Sequence, residues 1–172
     1  MPVAWNINTD LIQSNDYMLY VGELVQSGQT QTFKVLAYGK SNGISISQDS
    51  AEASSKFSCS WKAAQATRLG YQVTADSLYC TNNTDASSFD DLLAMMVSQE
   101  NIAWALGQKA AHTGTGATCS NDPFTLDTTK DYYSGEGLIT SLDLNADEDS
   151  VVSVSLTIEG SGEILKNGQA IQ

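Results

Sequence analysis

The stretch SGEGLITSLDLNADEDSVVSVSLTIEGSGEIL, residues 134–165, constrains the fold of this chain more than any other. Leu138, Thr140, Leu142 and Leu144 alternate with Ile139, Ser141, Asp143 and Asn145. Beyond the acidic connector Asp147, Glu148 and Asp149, Val152, Val154, Leu156 and Ile158 alternate with Ser153, Ser155, Thr157 and Glu159. Period-two alternation sends successive side chains to opposite faces, so both runs read as strands with one buried and one wet face. The connector is too polar to bury and short enough only for a turn, which makes the pair a hairpin. Gly160 and Gly162 are expected to break the second strand where it leaves the sheet.

Upstream, the chain offers more short strands at even spacing. They are expected at 17–21, 33–38, 44–47, 57–61, 71–76 and 102–106, with Tyr71, Val73 and Ala75 on one face and Ile102, Trp104 and Leu106 on another. Turns are expected at 27–29 and 39–42. Residues 48–56 read as a polar loop, and 62–68 as either a helical turn or an exposed loop. The clearest helix spans 88–99. Phe89, Leu92, Leu93, Met96 and Val97 form an apolar stripe at helical spacing, Ser88 suits the N-cap, and Asp90 and Asp91 suit the positive end of the helix dipole. Residues 110–130, rich in Thr, Gly, Ser and Asp, form the longest irregular stretch.

This pattern predicts a mainly β fold: a β-sandwich or barrel of two antiparallel sheets flanked by one helix, with an extended N-terminal arm and long loops. At 172 residues it is expected to be a single domain, with an arm at 1–15, a core at 16–165 and a frayed or docked tail at 166–172.

Chemistry is scarce. The single histidine, His112, sits among Thr and Gly with no nucleophile elbow in the chain, so a Ser–His or Cys–His catalyst is not expected. One histidine and three scattered cysteines (Cys59, Cys80, Cys119) match no zinc site or disulfide framework. Asp143, Asn145 and Asp147 imitate the start of a calcium loop, but Glu148 stands where glycine is needed and Val154 where a bidentate glutamate is needed. The expectation is therefore no enzyme, no cofactor and no metal. With 20 acidic against 8 basic residues, the net charge of −12 disfavours nucleic-acid binding and anionic membranes. The first sixteen residues lack the basic and apolar runs of a secretory signal, which leads to the expectation of cytoplasmic production. A carbohydrate-binding module using Trp5, Trp61 or Trp104 as a stacking platform is the alternative that composition leaves open.

The order of elements, with TyrMetLeuTyrVal at 17–21, the run at 46–56, the helix at 89–96, a strand around Trp104 and the closing pair Gly135–Leu142 and Ser153–Gly162, resembles the major tail tube proteins of long-tailed, siphophage-type bacteriophages. The resemblance spans roughly residues 16 to 165. It implies a structural virion protein made in the bacterial host cytoplasm and placed in the virion tail. Hexameric rings would join their inner strands edge to edge and stack into a tube that conducts genome DNA. Implied partners are the protein itself, the tail initiator or baseplate, the tape-measure protein and the tail terminator. Candidate subunit contacts are Trp5 and Ile7 in the arm and Asp49, Glu52, Lys56, Lys62 and Arg68 in the 48–68 segment. The 110–130 stretch is a further candidate. Candidate acidic residues of the lumen or loops are Asp143, Asp147, Glu148 and Asp149, whose charge would keep DNA from adhering.

Overall fold

A computed structural model describes residue 12 and residues 16–24, 31–52, 64–80, 86–110, 124–148 and 150–171. The closing hairpin is longer than its alternation indicates: β7 spans Tyr132–Asn145 and β8 spans Ser153–Lys166. Around it run β1 (Tyr17–Glu23), β2 (Lys34–Leu36), β3 (Gly39–Glu52), β4 (Ala64–Leu78), β5 (Ala86–Ser87), β6 (Ile102–Gln108) and β9 (Gln169–Ala170). A single helix among the described residues, α1, spans Phe89–Ser98.

The strands hydrogen-bond along one path, β3-β4-β8-β7-β6-β1-β2-β5, with β9 added to β8. Among the described strand pairs only β2–β5 is parallel. β3 ends this path and β2 lies next to its other end, yet only Ala37 and Tyr38 separate them in sequence. Two residues reach about 7 Å, so the sheet must roll until its ends meet. The Asn42 side chain donates to the Tyr17 carbonyl at 3.0 Å, tying β3 to β1 across the roll. The two layers expected from sequence are thus two limbs of one continuous sheet.

The roll encloses a core of Leu19, Val21, Leu36, Tyr71, Val73, Ala75, Leu92, Ile102, Trp104, Leu106, Ile139, Leu156 and Ile158. The alternation expected in 71–76, 102–106 and β8 is present, with Val73, Trp104 and Ile158 fully buried. β6 is buried on both faces, because Ala105 meets a second cluster with Tyr20, Val35, Ala37 and Ala86, covered by Phe33, Phe124 and Leu126.

Four local expectations change. In β7 the leucine-bearing face does not run straight into the core. Thr140 is an extra residue between the pairs Ile139↔Ile158 and Ser141↔Thr157. Such a bulge flips the phase of the strand, so Ile139 faces the core before it and Leu142 after it, while Leu138 is on the wet face; Leu144 shares the face of Leu142, opposite Val154, and is still 46% exposed. Second, Gly160 and Gly162 do not end β8, which continues to Lys166. Gly160 lies under the Tyr71 ring where a Cβ would overlap it, and Gly135 has Tyr71 Oη 2.7 Å and the Trp104 ring 3.0 Å from its Cβ position. Glycine in a strand marks a close approach here, not a stop. Third, residues 39–42 are strand, and the turn lies at Tyr38, with φ 45°. Residues 48–52, expected as a polar loop, and 64–68, expected as a helical turn or an exposed loop, continue β3 and β4; 57–61 lie outside the described residues. Fourth, the tail folds back: Asn167 and Gly168, with φ 54° and 74°, form the two-residue turn from β8 to β9. Asn167 Oδ1 accepts from Tyr132 N at 2.9 Å, and Lys166 pairs with Asp131 at 2.8 Å.

The helix begins as its sequence demands. Ser88 caps it, and Asp91 closes a reciprocal capping box through the Ser88 backbone N–H at 3.0 Å. The Ser88→Ala variant is expected to lose about 1 kcal/mol of stability in urea titrations followed by circular dichroism. Of the expected apolar stripe only Leu92 is buried; Leu93 is 41% and Val97 71% exposed.

Candidate assembly surface

Four of the strands, β3-β4-β8-β7, form a sheet limb whose outer face is wet from edge to edge. Strand register aligns Ser41, Asp76, Ser155 and Asp143 in one row across all four strands. The next rows are Gly43, Thr74, Thr157 and Ser141, then Ser45, Gln72, Glu159 and Leu138. None of these positions carries Lys or Arg. The alternating faces of the strands dictate the arrangement, since each of these residues neighbours one that enters the core.

Hydroxyls hold the carboxylates of this face in place. Asp76 accepts from Ser41 Oγ at 2.7 Å and from Ser155 Oγ at 2.8 Å. Asp143 accepts from Ser141 Oγ at 2.7 Å. The Ser41 and Ser155 hydrogen bonds favour the ionised form and hold the Asp76 carboxyl below its ordinary range. Asp76 therefore carries a fixed negative charge on this face at neutral pH.

Both edges of this limb are open among the described residues, β3 along its whole length and β7 along part of it. β3 ends the path, with β4 as its one neighbour. β7 is paired with β6 only over Tyr132–Gly137, while its pairing with β8 continues to Asn145. Among the described residues, the segment Leu138–Asn145 thus has no strand paired to its second side. Free edges of this length are pairing templates. β3–β4, β4–β8 and β8–β7 are all antiparallel. β3 therefore runs antiparallel to β7, the polarity needed for β3 of one copy to join β7 of the next in an unbroken antiparallel sheet.

β3 and β4 also extend past the limb. The pairing of β4 with β8 stops at Gln72↔Glu159, whereas β3–β4 pairing continues to Glu52↔Ala64. The result is a two-stranded arm carrying exposed Asp49, Glu52 and Arg68. The structure thus brings these three together on one hairpin. Trp5, Ile7, Lys56 and Lys62 lie outside the described residues. Asp143 belongs to the wet face, Asp147 and Glu148 are exposed in the β7–β8 turn, and Asp149 lies outside the described residues. Asp76 and Glu159 join the acidic face although sequence reasoning did not single them out. The signal was available in the alternation of 71–76, which sends Gln72, Thr74 and Asp76 to water.

Comparison with solved structures finds the same fold in phage-like tails. The SPP1 tail tube superposes with a TM-score of 0.64 at 12% identity, covering 94% of this chain and 81% of that one. The tail of an empty GTA particle, determined with C6 symmetry, gives 0.62 at 14% identity, covering 90% and 98%. The sheath–tube complex of an extracellular contractile injection system, PVC, gives 0.57 at 12% identity, covering 96% of each chain. No curated protein sequence matches. The family model described as phage tail tube, TTP, lambda-like matches residues 12–168. A match across nearly the whole chain, on a fold whose site is a pair of open sheet edges, places it plainly: the chain belongs to the lambda-like phage tail tube family, structural virion proteins that form tubes and are not enzymes.

Proposed function

We propose that the chain, acting as one domain, forms hexameric rings in which β3 of each copy pairs with β7 of the next, and that the rings stack into the tail tube through which genome DNA passes. The observation that carries this reading is the pair of free, antiparallel-compatible edges on one four-stranded limb. Six-fold rings are supported by the C6 symmetry of the GTA tail. Closing such a sheet into a ring removes every exposed edge of the limb. The row of Asp76 and Asp143, with Glu159 two rows on, then faces the lumen, where like charge keeps phosphates from adhering. The arm with Asp49, Glu52 and Arg68, together with Lys56, Lys62, Trp5, Ile7 and the 110–130 stretch, ties one ring to the next. The implied partners are the tail initiator or baseplate, tape-measure and terminator proteins, with assembly in the host cytoplasm. Trp104, fully buried, offers no platform for a sugar.

Negative-stain electron microscopy beside size-exclusion chromatography tests this directly. Rings or hollow tubes are expected from concentrated protein, or on addition of purified tail tips. Monomer under both conditions would overturn the proposal.

A further inference from the structure

Two apolar patches remain uncovered on the core side of this limb, at positions that edge-to-edge pairing would bring together. The first is on the arm. Directly paired residues of antiparallel strands share a face, so Ile44 with Val73 and Ile46 with Tyr71 lie on the core side, and Leu69, two residues before Tyr71, lies there too. Along this stripe burial ends abruptly: Val73 is 0% and Tyr71 8% exposed, while Ile46 is 60% and Leu69 71% exposed. The core surface continues onto the arm, where none of the described residues covers it.

The second patch is on α1, the element packed against β7. The helix starts near the Asn145 end of that strand, since Phe89 meets the Tyr79 ring and Tyr79 N donates to the Val152 carbonyl. It ends near Gly137, since only three residues separate Ser98 from Ile102, which pairs with Gly137. α1 therefore lies over the free segment of β7, with Leu93 and Val97 uncovered and one turn apart.

The levels agree. Gln72, Glu159 and Leu138 form one row, so Tyr71 and Ile46 stand at the height of Gly137, and Leu69 lies farther out. Val97 occupies the last turn of α1, at that same end. We infer that when β3 of one copy joins β7 of another, the Leu93–Val97 face of the second copy's helix closes over Ile46 and Leu69 of the first, completing a core that neither copy completes alone. The occupant of each patch is thus a second copy of this chain. The contact is heterologous, front of one copy to back of the next, the kind that generates closed rings. It rests on the ring reading proposed above and adds the helix to it as a side-chain clamp over the backbone seam.

The test compares the full-length chain with Val97→Glu, Leu69→Glu and the combined Val97→Lys/Leu69→Glu variant. Each single change is expected to lower the amount of sedimentable ring or tube roughly tenfold, because a charge is buried without a partner. The combined variant is expected to recover assembly, because the introduced charges pair. Both positions are exposed in the free chain, so thermal melting followed by circular dichroism is expected to stay within about 4 °C of wild type for all three. Assembly of both single variants at wild-type levels would overturn the clamp and leave the ring reading standing. Loss of assembly in the single variants without recovery in the combined one would overturn the pairing of Val97 with Leu69. Wild-type protein that forms neither rings nor tubes, even with tail tips, would bring down the ring reading and the clamp with it.

Discussion

Replacing Trp104 with alanine is expected to cost about 3–5 kcal/mol of folding stability, the usual range for emptying a buried aromatic site. Trp104 is 0% exposed and sits on β6 where the two limbs of the rolled sheet face each other. Its ring meets Tyr71 edge-to-face with centroids 5.5 Å apart, a preferred geometry for an aromatic pair. Gly135 on the neighbouring strand lets it approach. Native domains hold only about 5–15 kcal/mol in total, so the variant should unfold at much lower urea and form few tubes. Urea titration followed by circular dichroism gives the number. Trp104→Phe is expected to lose less, because it keeps a ring and removes an indole N–H that finds no hydrogen-bond partner among the described residues. A loss below about 1 kcal/mol for the alanine variant would show that the roll is held elsewhere.

Gly160→Ala, a change of one methyl group, is expected to cost nearly as much. The new Cβ would overlap three ring carbons of Tyr71. That ring cannot swing aside freely, because its hydroxyl donates to the Glu136 carbonyl at 2.5 Å and Trp104 packs against it edge-to-face. Overpacking alone costs about 1–3 kcal/mol. Loss of the Tyr71 hydrogen bond adds about 1 kcal/mol. Gly162→Ala, two residues on, is the contrast. A Cβ there meets nothing within 4 Å, and the strain arises only from its φ of 86°, which costs about 1–2 kcal/mol. A double-mutant cycle of Gly160→Ala with Tyr71→Ala identifies the cause: if the ring is the obstacle, most of the penalty disappears when Tyr71 is already gone. An equal penalty in both backgrounds would place the strain in the β8 backbone.

Gly160 also shows where sequence reasoning reaches its limit. From sequence it reads as punctuation, because glycine has no side chain to declare what approaches it. Only the packed structure reveals that Tyr71, 89 positions earlier, fills the space. Thr140 misleads in a similar way. A bulge adds one residue without changing composition, so the alternation of leucines continues while the faces exchange. The extent of β3 and β4 was hidden for another reason. Within one copy, residues 48–52 and 64–68 of the arm bury no side chain, and hydrophobic periodicity is silent where no face is buried.

What the sequence by itself determined is the set of locally encoded features: the closing hairpin, the inward rows of β4, β6 and β8, the capped helix at 88–99, and an acidic character without catalytic chemistry. Each follows from side-chain periodicity or capping within about a dozen residues. Tertiary structure alone decided the roll of one sheet into two limbs, the alignment of Asp76 with Ser155 and Asp143, and the location of the free edges. Those depend on which strands pair and where pairing stops, through contacts between residues far apart in the chain. The acidic face and the open edges belong to the same limb because β8, the second strand of the closing hairpin, is joined on its other side to β4.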